Sequence, residues 1–408
     1  MLSIIPGLKC ATASLNDLGL EFSVADELLK RNGVTRLVNL TGLDTIDVPV
    51  WSCVRPHSRS LAVSFGKGLS DGQAQASAMM EAMESAFAED RQALVSSHAT
   101  IGEMERGEVK TVPLRTLSRC RFEDVDRNAR LGWVRGTSLN SGDEVLAPFE
   151  LIGLDYTGER KRASYDGFLM STIGLAAGRT WEEAVCHGLM ELIEHDAVAI
   201  FELIPALANA LPAGRYRRGF SRRLDEAFEL FKTGGIEPIF RSVSDQFGFP
   251  VVMCSIPRSS GMGTDRICAG FAARQSVEDA ALAALLEAAQ VRMTMIAGAR
   301  EDLRWSDYQQ VRHSDQPASS LPPPADTSPL FAAAPNEPPT ELTLQGILQR
   351  LGQAGIHNVY AFSLTRPDDP IHVVRVLAEG LDVADQDSAT NLGERAISTL
   401  LKLSFAAR

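Results

Sequence analysis

The sequence predicts a mixed fold, α+β or α/β, and three observations carry that prediction. Apolar residues recur at helical spacing in several segments, runs rich in Val, Ile and Leu of strand length lie between them, and Gly and Pro mark the boundaries. Taken in order, residues 25–31 read as a helix, 35–40 as a short strand and 48–54 as another, with Gly33 and Gly42 as punctuation. A third strand over 60–65 runs into Gly66-Lys67-Gly68, and a long helix follows over 73–90. Further helices are predicted over 180–203, 222–233, 277–299 and 342–354, and further strands over 251–256, 359–364 and 371–376.

At 408 residues the chain has room for roughly two to three domains or one large one. Lys and Arg number 40 against 52 Asp and Glu, a net charge of -12. Such a chain has no overall field that draws it onto nucleic acid or an anionic membrane. The first nine residues are interrupted by Pro6 and Gly7 and do not read as a secretory segment, and no run approaches the roughly 18 apolar residues of a membrane span. Six cysteines, Cys10, Cys53, Cys120, Cys186, Cys254 and Cys268, are scattered without a Cys-x-x-Cys. That spacing suits reduced, buried thiols in a cytoplasmic protein better than a disulfide framework or a zinc site. Between 315 and 340 the chain changes character: eight of the 20 prolines fall there, without apolar periodicity, as in a loop or linker within the fold.

The chemistry is concentrated in three helices that are apolar nearly all round yet carry Glu with a second acid or amide three positions later. In the first, Ser77, Glu81 and Glu84 share a face, since i, i+4 and i+7 lie in line. In the second, Glu183, His187, Glu191 and Glu194 form a stripe bounded by Val185, Leu189, Leu192 and Ile193, and in the third Glu287 precedes Gln290. Helices so apolar are normally buried, which sends the carboxylates inward, where like charges must be neutralised or find cations. A set of carboxylate oxygens without clustered His or Cys suits a hard cation, and Mg²⁺ usually shares its remaining positions with water and substrate phosphates. Two ions held by Glu81, Glu84, Glu191 and Glu194 make a site for a nucleoside triphosphate. No Walker motif is present, because Gly66-Lys67-Gly68 lacks both the spacing and the hydroxyl.

Three turn segments are candidate contributors. Gly66-Lys67-Gly68 is expected to offer backbone N–H groups and one ammonium to an anion as it opens the first helix. The segment from Ser171 through Gly174 and Gly178 leads into the second helix, with Thr180 as its N-cap. Gly261-Met-Gly263 reads as a hairpin or loop, and the basic residues Arg215, Arg217, Arg218, Arg222 and Arg223 read as a solvated approach to a helix.

These segments resemble the YcaO family of ATP-dependent enzymes that activate peptide backbone amides. The resemblance runs from Leu40-Thr-Gly-Leu-Asp44 through Ser58-Arg-Ser-Leu-Ala-Val-Ser64 to the final strands. Its most specific parts are Gly66-Lys67-Gly68 with Ser77, Glu81 and Glu84, then Gly174-Leu-Ala-Ala-Gly178 with Glu183, Glu191 and Glu194, then Glu287 with Gln290. It implies an α+β fold in one large domain over 1–408. It also implies Mg²⁺ on Glu81, Glu84, Glu191 and Glu194, and ATP contacts from Lys9, Lys67, Ser77, Ala176, Thr180, Glu183, His187, Glu287, Gln290 and Arg292. Ser85 and His195 stand where the family usually has Arg, and Arg179 stands where Asn is common.

Within the family the chain is most similar to the branch encoded beside TfuA-like proteins. That branch implies backbone thioamidation of a ribosomally made precursor peptide, with the amide oxygen phosphorylated by ATP and then replaced by sulfur. The rivals are an azoline-forming cyclodehydratase, an idle peptide- or partner-binding accessory subunit, and a dinuclear carboxylate hydrolase. The partners so implied are the precursor peptide, a TfuA-like protein delivering sulfur and a separate leader-peptide-binding protein. No nucleic acid or membrane is expected, and the expected assembly is a homodimer.

Overall fold

The computed structural model describes residues 20–157, 167–203, 213–244, 247–257, 267–303, 326–331 and 342–382, together with 211, 305, 395, 397–399 and 401. In chain order the elements are α1 (Phe22–Arg31), β1 (Arg36–Asn39), β2 (Val50–Val54), β3 (Val63–Lys67), α2 (Asp71–Ala88), α3 (Arg91–Leu94), β4 (Val95–Ala99), α4 (Ile101–Glu105), β5 (Lys110–Thr111), β6 (Leu131–Ser138), β7 (Glu144–Pro148) and α5 (Phe149–Ile152). There follow β8 (Leu175–Gly178), α6 (Trp181–Leu203), β9 (Ala213–Arg215), α7 (Arg222–Lys232), β10 (Ile239–Ser244), β11 (Val251–Pro257), β12 (Ile267–Ala273), α8 (Val277–Ala297), α9 (Leu344–Gln353), β13 (Val359–Ser363) and β14 (His372–Ala378). Helices and strands are mixed throughout, as the α+β expectation has it.

Contacts gather into two compact units interleaved along the chain. The described residues of 1–56, 61–82 and 204–341 make the first, and those of 57–60, 83–203 and 342–408 the second. The first unit has an antiparallel sheet β1-β2-β3 and an antiparallel sheet β12-β11-β10-β9. Its core joins Ile46, Val48, Phe65, Phe231, Phe240, Leu285 and Phe331. Phe331 comes from the proline-rich stretch, whose residues 326–331 are the only ones of 315–340 described. Ser328 there donates its N–H to the Arg215 carbonyl at 2.8 Å, so this piece is part of the core packing. The basic cluster lies on the surface, with Arg215, Arg218, Arg222 and Arg223 each paired to an acidic neighbour.

The second unit is built on a seven-stranded sheet in the order β5-β7-β6-β13-β14-β8, with β4 also on β6. Every pairing is antiparallel except β5 with β7. Helix α6 packs on β8 and β14. The segment 171–180, expected as a turn, contains strand β8, with Ala177 opposite Val373 and Leu175 opposite Arg375. Alanine and glycine carry little strand preference, which is why the sequence hid it.

Glycine explains how the three carboxylate helices sit. Each follows a strand of its own unit that presses a glycine against the helix backbone. A Cβ on Gly66 of β3 would fall 2.1 Å from the Ala78 nitrogen and 2.2 Å from the Ala74 oxygen. On Gly178 of β8 it would fall 2.6 Å from the Ala184 nitrogen, and on Gly270 of β12 2.3 Å from the Ala284 oxygen. Only a residue without a side chain permits this approach. Gly66 and Gly68 therefore serve close packing, and neither takes the left-handed conformation of a phosphate-binding turn.

Candidate functional site

The carboxylate stripes are half-buried, and three of their acids, Glu81, Glu84 and Glu191, each meet a main-chain N–H. Along α2 the residues Ser77, Glu81 and Glu84 are half-buried between fully buried Ala78, Met79, Ala82 and Met83. On α6 Glu183, Glu191 and Glu194 are half-buried and His187 is exposed, while Ala184, Val185, Leu189, Leu192 and Ile193 are buried. Glu287 and Gln290 mark the same kind of seam on α8. The polar stripe is thus a half-buried line on each largely buried helix, open enough for a ligand and shielded enough to strengthen its electrostatics. Helix α8 is also the one described helix long and apolar enough to cross a membrane, and most of it is buried in the protein.

In the first unit Glu81 accepts the Phe65 N–H at 3.4 Å. Burial pushes its pKa up, Lys67, that N–H and Arg300 pull it back down, and the nearby Glu287 charge raises it. The Lys67 ammonium, on the last residue of β3, lies 3.3 Å from Glu287 Oε2. Arg292 is set apart from these: its side chain is 3% exposed and grips Asp44 through two bonds of 2.6 and 2.8 Å. Gln290 lends its carbonyl to the Thr294 hydroxyl within the helix, at 2.9 Å.

In the second unit the strand β8 and the residue before it hand main-chain N–H groups to two of the predicted metal ligands. Ala177 N donates to Glu84 Oε1 at 2.8 Å, and Gly174 N donates to Glu191 Oε2 at 3.1 Å. Gly174 has φ of +79°, and a Cβ there would strike the Val376 oxygen at 2.5 Å, so only glycine can deliver this N–H. Thr180 caps α6 as expected, accepting the Glu183 N–H at 3.1 Å, while Glu183 reaches back to the Arg179 N–H. His187 Nδ1 lies 3.4 Å from the Ala177 carbonyl, and Ala176 is buried in β8. His195 sits 4.0 Å from Glu191 Oε1 and forms an ion pair only when protonated. Lys9 and Gly261-Met-Gly263 lie outside the described residues.

Sequence reasoning missed two buried arginines beneath this segment. Arg119 is 4% exposed and Arg375 fully buried, and their hydrogen bonds go to main-chain carbonyls. Arg119 donates to Leu169, Ile173 and Ser171, and Arg375 to Ile152 and Ile173. Burial lowers the Arg119 pKa to about 10, with Tyr156 and Glu191 acting the other way; burial and the Arg119 charge lower that of Arg375 to about 9, opposed by Glu191, Tyr156 and Glu84. The signal was present in His372-Val-Val-Arg-Val-Leu-Ala378, a charge set in a run too apolar to face water.

Carboxylate oxygens oriented by backbone amides fit a hard cation that completes its shell with water and phosphate. Among the described residues, no three His, Cys, Asp or Glu side chains already converge on one point. The five described cysteines are buried and free, as expected of structural thiols.

The chain is similar to known proteins along most of its length. Residues 65–382 match the family model described as YcaO cyclodehydratase, ATP- and Mg²⁺-binding. A protein from the tfuA 3′ region of Rhizobium leguminosarum bv. trifolii is 31% identical over 384 residues, covering 91% of this chain and 89% of its own. Among solved structures, YcaO of Methanopyrus kandleri bound with AMPPCP and Mg²⁺ superposes with a TM-score of 0.66 at 24% identity, over 90% of this chain and 92% of that one. A heterocyclase in complex with substrate and cofactor reaches 0.67 at 19% identity, over 95% of this chain and 56% of the other. The family match over most of the chain and the full-length relative place it: the chain belongs to the YcaO family, the cyclodehydratase-like proteins described as ATP- and Mg²⁺-binding.

Proposed function

We propose that this protein activates a peptide backbone amide by ATP-dependent O-phosphorylation and directs the product toward a thioamide. The observation that carries the reading is the pair of main-chain N–H groups aimed at Glu84 and Glu191 from the segment 174–177. Carboxylates held by backbone donors are fixed in direction, which is what a cation site needs. In this reading Glu81, Glu84, Glu191 and Glu194 ligate Mg²⁺. Lys67, Ser77, Ala176 through its main chain, Thr180, Glu183, His187, Glu287 and Gln290 border the nucleotide. Arg292, buried against Asp44, and Lys9 are assigned to the nucleotide on the family resemblance alone.

Mg²⁺ bound with ATP would neutralise the phosphates and make the γ-phosphoryl group transferable. The residues of this chain supply orientation. The half-buried seams limit water around the carboxylates, and the Lys67 ammonium beside Glu287 offers a cation that a phosphate oxygen can take over. Sulfur replacement is favoured over ring closure by the similarity to the protein of the tfuA 3′ region, with a TfuA-like partner as the sulfur source.

The test is mass spectrometry of a candidate precursor peptide incubated with the protein, ATP, Mg²⁺, a sulfide source and the TfuA-like partner. A gain equal to the difference between sulfur and oxygen supports thioamidation. Loss of one water assigns the protein to the azoline formers, and ATP consumption without peptide change overturns both.

A further inference from the structure

One peptide group in the second unit has an unusual set of partners. The carbonyl of Ile173 accepts from Arg119 Nη1 at 3.4 Å and from Arg375 Nη1 at 2.8 Å, and the N–H of that same peptide, on Gly174, donates to Glu191 Oε2 at 3.1 Å. Two guanidinium groups on the oxygen and a carboxylate on the nitrogen polarise the amide in one direction. Hydrogen bonds linked in this way strengthen one another in a low-dielectric interior. The arrangement is rigid: Arg375 lies opposite Leu175 in the β14–β8 ladder, and Val376 N donates to the Gly174 carbonyl at 2.7 Å.

Two buried positive charges are costly where the donors meet only carbonyls. Among the described residues Arg375 Nη2 has no hydrogen-bond partner at all. The compensation available is electrostatic, from Tyr156 acting on both arginines and from two carboxylates, Glu191 acting on both and Glu84 on Arg375. These are the carboxylates assigned above to Mg²⁺, so the arginines already balance charge that a bare cation would otherwise seek. A nucleoside triphosphate brings its own negative charge and offsets the arginines.

We propose that Arg119 and Arg375 are positioning residues that clamp Glu191 through the Ile173–Gly174 peptide and make Mg²⁺ binding depend on nucleotide, by opposing uptake of the free ion. The proposal rests on the reading that Glu84 and Glu191 hold Mg²⁺. Replacing one buried guanidinium by a neutral chain of similar length removes a nearby unit charge and tightens binding of a divalent ion by about tenfold or more.

The experiment is calorimetry on the full chain with Mg²⁺ alone and with Mg²⁺ plus a non-hydrolysable ATP analogue, for the wild type, Arg375→Met and Arg375→Lys. The expected result is weak binding of Mg²⁺ alone by the wild type and by Arg375→Lys, and binding at least about tenfold tighter by Arg375→Met. A purely structural arginine would make the Met and Lys variants alike. Equal affinity of both variants and the wild type for Mg²⁺ alone overturns the proposal while binding of Mg²⁺ with the analogue leaves the site assignment standing. Failure of the wild type to bind Mg²⁺ even with the analogue overturns the site assignment and the proposal together. Circular dichroism checks that each variant is folded, and Arg119→Met beside Arg119→Lys reads the same charge effect if Arg375→Met does not fold.

Discussion

Gly66 is the point at which packing and site geometry depend most closely on one atom. Placing a methyl group there sets a carbon 2.1 Å from the Ala78 nitrogen and 2.2 Å from the Ala74 oxygen, both backbone atoms of α2. Carbon contacts become comfortable only near about 3.5 Å, so the helix must retreat from β3 by more than about 1 Å. Neither contact is with a flexible side-chain end that could swing away, so Gly66→Ala lies at or beyond the upper end of overpacking costs, about 3 kcal/mol. For a unit of this size that corresponds to a fall in Tm of about 6–12 °C. The retreat also breaks the Phe65 N–H bond to Glu81, which at 3.4 Å is already long. Binding of Mg²⁺ with nucleotide is therefore expected to weaken even in the folded fraction. The control is Gly42→Ala, where nothing lies within 4 Å and the backbone is not left-handed; there the change is expected within about 0.5 kcal/mol. Thermal unfolding followed by circular dichroism, with calorimetry at a temperature where both variants are folded, reads both effects. A Gly66→Ala protein as stable as Gly42→Ala would refute the backbone-on-backbone account of this helix.

Two further predictions concern buried charge and buried thiols. Removing one partner of the Arg292–Asp44 pair, whose side chains are 3% and 4% exposed, leaves an uncompensated buried charge; Arg292→Met is expected to cost about 3–5 kcal/mol in denaturant unfolding, and Arg292→Met with Asp44→Leu less than either single change. Burial raises the thiol pKa of Cys53 and of Cys120 from 9.0 to about 12. A raised folded-state pKa gives stability that is present below the ordinary thiol value and is lost as pH rises from 9 towards 12. Both thiols are accordingly expected to resist iodoacetamide at pH 8 in the folded protein and to react after denaturation, as read by peptide mapping.

Much of the architecture was legible in the sequence because its strongest signals are periodic. The predicted helix over 73–90 is observed as Asp71–Ala88, and that over 277–299 as Val277–Ala297, each bounded within about two residues. The i, i+3 carboxylates stood out because they interrupt otherwise apolar helices. On α2, α6 and α8 the acids occupy a half-buried line of an otherwise buried helix, and Glu81, Glu84 and Glu191 each meet a main-chain N–H there. The strands between Val95 and Pro148 escaped notice: β4, Val-Ser-Ser-His-Ala, is half polar, and β5 has only two residues. Strands β8 and β12 are rich in Gly and Ala because a helix backbone lies against them, so the residues that fit the packing carry the weakest strand preference. Arg119 and Arg375 could not be read as a pair from the sequence, since 256 positions separate them and a chain pattern says nothing about which carbonyls a buried guanidinium meets.

The central claim is that glutamates on α2 and α6 hold Mg²⁺ for a nucleotide, and calorimetry of Mg²⁺-dependent ATP binding to the wild type, Glu84→Gln and Glu194→Gln tests it most directly. The account predicts binding by the wild type, loss of that binding in both variants and unchanged thermal unfolding in all three. Wild-type affinity retained in folded Glu84→Gln and Glu194→Gln would contradict it.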